Sequence, residues 1–245
     1  MATKTEKQRL RAERAAAALR EKERKERRRK ITTAVSVFVA LVLVVGVGFL
    51  INSLRDSTAD VAKNAPAAGS DNGVTIGTGS APHDIVIYED FLCPFCGELE
   101  SRTSEKLADL AAEGKVRVEY RPFVLLSNIG PYSALATAAF GTVLEQSGPE
   151  VAKAYHDLLY SEQPEESGPF PDAQDLADLA EQAGADAETV SAVADGGDTD
   201  WADAATQAAE DVKVQSTPTI LLDGEAFSDG RTVDDLAANL LEAVQ

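Results

Sequence analysis

Cys93 and Cys96 are the two cysteines of a 245-residue chain, and two intervening residues let their sulfurs join within one helical turn. A bridge closing so short a loop is a weak staple, because disulfide stabilisation grows with the length of loop closed. Three uses of the pair stay open: a dithiol–disulfide redox couple, a structural disulfide, or half of a metal site. A zinc site needs four protein ligands, or three plus water, and His83 and His156 stand at no recognisable ligand spacing. Redox chemistry with no bound metal or organic cofactor is the use the sequence favours.

The neighbouring residues say how the pair is held. Asp84-Ile85-Val86-Ile87-Tyr88 is apolar and β-branched and predicts a buried strand ending just before it. Pro94 suits the first position of a helix, where its fixed φ helps and its missing N–H is not needed. Cys93 then sits at a helix N-terminus, whose free N–H groups and dipole favour the thiolate that attacks disulfides. Cys96, Leu99, Thr103, Leu107 and Leu110 recur at helical spacing and predict the buried face. Cys93 is thus expected to be the exposed nucleophile and Cys96 the sheltered resolving thiol.

Charge is divided along the chain. Residues 1–30 carry 13 Lys and Arg against 5 Asp and Glu, although the whole chain has a net charge of -18. Ile31 to Ile51 is a run of 21 uncharged residues, about 30 Å long as a helix and so a bilayer core in length. An uncleaved transmembrane anchor is the first reading; a cleaved signal peptide, whose apolar region is typically ~7–15 residues long, is the second. The basic block ending Arg27-Arg28-Arg29-Lys30 puts the N-terminal segment in the cytoplasm and the rest outside it. That block resembles a nucleic-acid or anionic-lipid patch, but Glu21-Lys22-Glu23-Arg24-Lys25-Glu26 reads more simply as a solvated helix flanking a membrane span. The acidic remainder repels nucleic acid. In an exported, oxidising compartment disulfides persist, and a lone Cys-x-x-Cys there points to work on the cysteines of other exported proteins.

Past the span, 52–73 predicts a polar, flexible linker, and Val74-Thr75-Ile76 a short edge strand. Lys115 to Tyr120 alternates with period two, so strand, helix and strand predict a parallel pair with a right-handed crossover. From about 131 to 211 the patterns are helical: Pro131 to Gln146, Pro149 to Tyr160, Asp172 to Ala183 with Asp172 as N-cap, Glu188 to Ala194, and Thr199 to Asp211. Their acidic faces, with Asp175, Asp178, Glu181 and Asp186, read as solvated surface. Thr219 to Leu222 resumes the sheet, Asp223-Gly224 turns it back through Glu225-Ala226-Phe227, and a helix from Val233 to Val244 closes the chain. The fold class is an α/β core, in residues 74–245, split by a helical insertion.

Asp90-Phe91-Leu92-Cys93-Pro94-Phe95-Cys96, Arg121-Pro122-Phe123 and Ser216-Thr217-Pro218-Thr219 together resemble the DsbA-like thiol:disulfide oxidoreductases of the thioredoxin superfamily. The resemblance covers about Gly73 to Gln245 and implies a thioredoxin fold with a helical insertion. It implies that Cys93 is the nucleophile, Cys96 the resolving thiol and Pro218 a cis-proline facing them. Thr217 would then turn its backbone toward Cys93 and offer an edge to an extended substrate, with Phe95, Thr217 and Pro218 as the substrate-contacting residues. A membrane quinone-linked reoxidant is the partner the family implies. Two features depart from the family: many members have His where this chain has Phe95, and many thioredoxin-fold proteins carry a buried carboxylate where it has Ile87. Asp90 or Glu89 is the substitute proton relay, with Asp90 equally readable as an N-cap or turn residue. Oxidase, reductase or isomerase, and non-enzymatic binding module all remain compatible with the sequence.

Overall fold

The computed structural model describes Val61, Ala62, Ala65, Gly69 and residues 72–245. The expected basic segment, the 31–51 span and most of the 52–73 linker lie outside the described residues. Among the described residues no helix is long and apolar enough to cross a membrane.

Five strands form one sheet, β1 (Val74–Ile76), β2 (His83–Glu89), β3 (Val116–Pro122), β4 (Thr219–Leu222) and β5 (Glu225–Phe227), in the order β1-β3-β2-β4-β5. β2 and β3 are parallel, with Ile85 opposite Val118 and Ile87 opposite Tyr120; every other pairing is antiparallel. The parallel pair is joined by helix α1 (Pro94–Ala112), as the strand–helix–strand spacing requires. Between β3 and β4 lie α2 (Tyr132–Ser161), α3 (Ala173–Ala183), α4 (Ala187–Ala194) and α5 (Thr199–Asp211), and α6 (Val233–Ala243) follows β5. This is the expected α/β core with its helical insertion.

Alternation along β2 divides the interior. Ile85 and Ile87 face the main core, against Leu99, Leu107 and Leu110 of α1, Phe140 and Tyr155 of α2 and Leu240 of α6. Val86 and Tyr88 face the other way, onto Phe123, Val212, Val214 and Leu221. A period of two in the side chains makes both faces of the central strand apolar. Val61 is fully enclosed in this second cluster, with Ala62 and Ala65 against it, so the middle of the segment expected to be a flexible linker packs on the sheet.

The two helices expected from Pro131 and Pro149 run together as α2, interrupted at Gly148, where φ is 84°. Proline cannot donate the N–H that would continue the ladder, and glycine alone takes that backbone angle without strain. The break sets the direction of the second half, which carries Lys153, His156, Asp157 and Tyr160 toward α1. Asp172 caps α3, accepting from the Gln174 and Asp175 amides, and the Asp223-Gly224 turn has φ of 53° and 80°, as a tight hairpin demands.

Candidate active site

Cys93 is the N-cap of α1 and Pro94 occupies its first turn. The Cys96 and Gly97 amides donate to the Cys93 carbonyl at 3.1 and 3.2 Å, and the Cys93 amide donates to the Asp90 carbonyl at 2.9 Å. The turn holding the two thiols is therefore closed by its own backbone before any side chain contributes. Across from it, Thr217–Pro218 is a cis peptide, and the Cys93 sulfur lies 3.4 Å from the Thr217 carbonyl oxygen, which accepts from the thiol.

Both cysteines are free thiols. Cys93 keeps only 4% of its surface and Cys96 none, so the expected exposed nucleophile is instead recessed. Phe95 lies at the mouth of the site, 59% exposed, and the loop at Thr217 and Pro218 covers the sulfur. A hydrogen bond from the Cys96 thiol does most to lower the Cys93 pKa, to about 7; burial opposes it, while the Thr217 side chain and the Cys96 and Phe95 amides assist. Those amides lie in the first turn of α1, at the positive end of the helix dipole. Cys96 is pushed the other way, well above an ordinary thiol, first by burial and then by Cys93 and the Glu89 charge. One sulfur is acidic and near the surface, the other basic and enclosed.

Asp90 is fully buried and its carboxylate is occupied by protein donors. Its Oδ1 accepts from the Leu92 amide at 2.8 Å. Its Oδ2 accepts from the Leu125 and Leu126 amides and the Ser133 hydroxyl at 2.7, 2.9 and 2.6 Å. The side chain ties the cysteine turn to the exit of β3 and the start of α2. Glu89 is fully buried as well, with Oε1 2.6 Å from His156 Nε2. Burial disfavours the His156 imidazolium, but the Glu89 charge and hydrogen bonds with Asp157 and Glu89 outweigh it and raise its pKa to about 9.

Gln163 and Glu100 also belong to the site, and no local sequence pattern marks either. The Gln163 amide group donates to the Phe91 and Cys93 carbonyls at 2.8 and 3.0 Å, pinning the turn from the loop after α2. A Cβ on Gly97 would meet Gln163 Oε1 at 2.2 Å, so the absent side chain makes this approach possible. Glu100 lies one helical turn beyond Cys96 and is 4% exposed. Burial first, and the Glu89 charge second, hold its pKa up at about 8. Among the described residues, Glu100, His156 and Asp157 bring ligand atoms within 4.8 Å of one another and could hold a metal ion. Lys153 already sits 2.5 Å from Asp157 Oδ1, and both His156 nitrogens face carboxylates. A groove of about 330 Å³ opens beside the thiols, lined by Phe95, Thr217, Pro218, Phe227, Arg231 and Leu236 among others.

Residues 69–242 match the family model described as thioredoxin. Among solved structures, the reduced disulfide bond oxidoreductase DsbG from Mycobacterium tuberculosis is 27% identical with a TM-score of 0.60, over 77% of this chain and 92% of that one. Reduced DsbA from the same organism is 26% identical with a TM-score of 0.59, over 71% of this chain and 92% of that one. The curated serine/threonine-protein kinase PknE of Mycobacterium tuberculosis is 29% identical over 134 residues, 52% of this chain and 24% of the kinase. The chain spans about a quarter of that curated relative's length. It belongs to the thioredoxin family and within it is similar to the DsbA-type thiol-disulfide oxidoreductases.

Proposed function

We propose that the chain is an extracytoplasmic dithiol oxidase, tethered by residues 31–51, that introduces disulfide bonds into exported proteins. A substrate thiolate attacks the Cys93 sulfur of the oxidised pair. The Cys93–Cys96 bond breaks, its electron pair leaves on Cys96, and a mixed disulfide forms. A second substrate thiolate then attacks the substrate sulfur of that mixed disulfide and expels Cys93 as a thiolate. The substrate has lost two electrons and the enzyme holds them as a dithiol, which a quinone-linked membrane partner reoxidises.

The observation that carries the thiol–disulfide exchange in this reading is the opposed ionisation of two adjacent sulfurs beside a groove; its oxidising direction rests on the exported, oxidising compartment expected past residues 31–51. The acidic Cys93 is the better leaving thiol, and the raised Cys96 favours its own protonated form. An extended substrate segment in the groove would meet the apolar Phe95 and the backbone of Thr217, whose carbonyl accepts from the Cys93 thiol in the free protein, a short edge of the kind that takes strand-like hydrogen bonds. No bound cofactor is needed for the exchange.

A second reading, a reductase or isomerase, is favoured by one observation: a Cys93 pKa of about 7 is close to that of thioredoxin, roughly 7, and far above that of DsbA, roughly 3.5. Equilibration of the Cys93–Cys96 pair with glutathione separates the two. The oxidase reading expects a reduction potential nearer ~-120 mV; a value near ~-270 mV assigns the chain to reduction.

A further inference from the structure

The groove beside the thiols carries a single charge. The chain has 41 Asp and Glu against 23 Lys and Arg, yet no acid lines this groove. Its walls are apolar or neutral from Phe95 and Pro218 to Phe227 and Leu236, with Arg231 the exception. The other three arginines among the described residues each face a carboxylate: Arg102 meets Glu98 and Asp234, Arg117 meets Asp84, and Arg121 meets Glu119. Arg231 is exposed, and among the described residues its guanidinium meets no carboxylate.

The backbone that carries Arg231 is fixed on both sides of it. The Asn239 side chain donates to the Asp229 carbonyl at 2.9 Å, and the Arg231 amide donates to Asp235 Oδ2 at 3.3 Å. The Thr232 hydroxyl accepts from the Asp235 amide at 3.1 Å. At Gly230 a Cβ would meet the Leu236 amide nitrogen at 2.5 Å, so the loop lies directly on the start of α6. Asp235 is engaged by the Arg231 amide and Asp234 by Arg102. The result is a preorganised positive charge whose counter-ion must come from outside the groove.

Strand register places this charge relative to the thiols. Ile220 lies opposite Phe227 in the antiparallel pair of β4 and β5, so the chain beyond Phe227 runs beside Thr219, Pro218 and Thr217. The Thr217 carbonyl oxygen is 3.4 Å from the Cys93 sulfur. Neighbouring strands lie ~4.8 Å apart and an extended chain advances ~3.3 Å per residue, so the guanidinium is about two to four residues of extended substrate from the sulfur. The acidic exterior repels an acidic segment at long range, but physiological salt screens that field beyond ~8 Å. Inside the groove the local charge decides.

We propose that Arg231 selects exported substrates with an Asp or Glu about two to four residues from the cysteine that exchanges with Cys93. The acid pairs with the guanidinium while the intervening side chains lie on Phe95 and Leu236. The inference rests on the oxidoreductase reading above and names its substrate class.

The test is oxidation of reduced dithiol peptides by the full chain, with glutathione disulfide as terminal oxidant and fluorescence as the readout. The peptides share one uncharged sequence, with Ser, Asp or Lys placed in turn at each of the four positions on either side of the first cysteine and the second cysteine beyond them. At one or two positions Asp should raise kcat/KM about two- to fivefold over Ser, within what an exposed ion pair supplies, and Lys should lower it. Arg231→Gln should bring the Asp-to-Ser ratio to about one, and Arg231→Lys should keep part of the preference. The parent ratio should shrink between about 50 and 500 mM salt. A ratio of one at every position in the parent, or a preference that Arg231→Gln retains, overturns the proposal. So does a preference absent from the peptides while Arg231→Gln slows reoxidation in membranes, which would assign the charge to the reoxidant. A chain that neither oxidises the reduced peptides nor reduces their disulfides fails the oxidoreductase reading itself. One that only reduces them loses the oxidase direction, and the same ratios are then read on the disulfide peptides.

Discussion

Removing the Cys96 thiol should change the acidity of Cys93, because the hydrogen bond it supplies is the largest cause of the lowered value. The Cys93 pKa stands at about 7 against an ordinary 9.0, a difference worth roughly 2.7 kcal/mol between thiol and thiolate. If the Cys96 bond carries about half of it, Cys96→Ala lifts the Cys93 midpoint by about one unit. The ionised fraction at pH 7 then falls from about a half to roughly a tenth, and alkylation by iodoacetamide slows about fivefold. Cys96→Ser keeps a donor and should stay close to the parent. The assay is the alkylation rate of the reduced protein from pH 5 to 10. A Cys96→Ala midpoint still near 7, or a parent midpoint near 9, would refute the reasoning. The sign also matters for redox direction. A depressed thiol stabilises the reduced fold fully above pH 9, and that stabilisation is lost as pH falls through 7. At pH 7 it amounts to only ~0.4 kcal/mol, or roughly 10 mV, so the direction of exchange rests on compartment and reoxidant more than on this ionisation.

Three further outcomes follow from the same geometry. Asp90→Ala strips the acceptor from the Leu92, Leu125 and Leu126 amides and the Ser133 hydroxyl; at ~1–3 kcal/mol for each buried donor left unpaired, urea denaturation should show a loss of about 3 kcal/mol or more. Gln163→Ala frees the Phe91 and Cys93 carbonyls; it should cost about 1–2 kcal/mol of stability, and hydrogen exchange at the Cys96 and Gly97 amides should accelerate. Stability should fall between pH 6.5 and 9. His156 binds its proton more tightly folded than unfolded, with a pKa of about 9, so its contribution is complete below pH 6.5 and lost as pH rises through 9. Glu100, held at about 8, opposes folding as the unfolded chain ionises it, in the same direction. Denaturation midpoints across that range check the slope, which Glu100→Gln should make shallower.

How much of this the sequence discloses differs by residue. The core was legible because its signals are local: the β-branched run to Tyr88, Pro94 at a helix start, Asp172 as a cap, and Asp223-Gly224 at a hairpin. Each fixes its own backbone within a few residues. The recessed position of Cys93 was not legible, since the groups that cover it, Thr217 and Pro218, lie more than 120 residues away. Glu100 reads in isolation as one more acid on an amphipathic helix. Only the Gly148 break, which turns His156 and Tyr160 toward α1, reveals that its face is interior. Gln163 gives no sequence signal except a missing one, the glycine at 97 against which it packs. Asp90 was readable as either a turn residue or a proton carrier, and its four donors come from three separate segments that no local pattern connects.

The claim that organises the account is that Cys93 is the sulfur exchanged with exported proteins. Its most direct test is the full-length Cys96→Ala variant in cells, where the resolving thiol is gone and mixed disulfides persist. The account predicts reductant-sensitive adducts to exported proteins that disappear when Cys93 is also changed to Ser. Adducts that survive the loss of Cys93, or a Cys96→Ala chain that captures no exported protein, would contradict it.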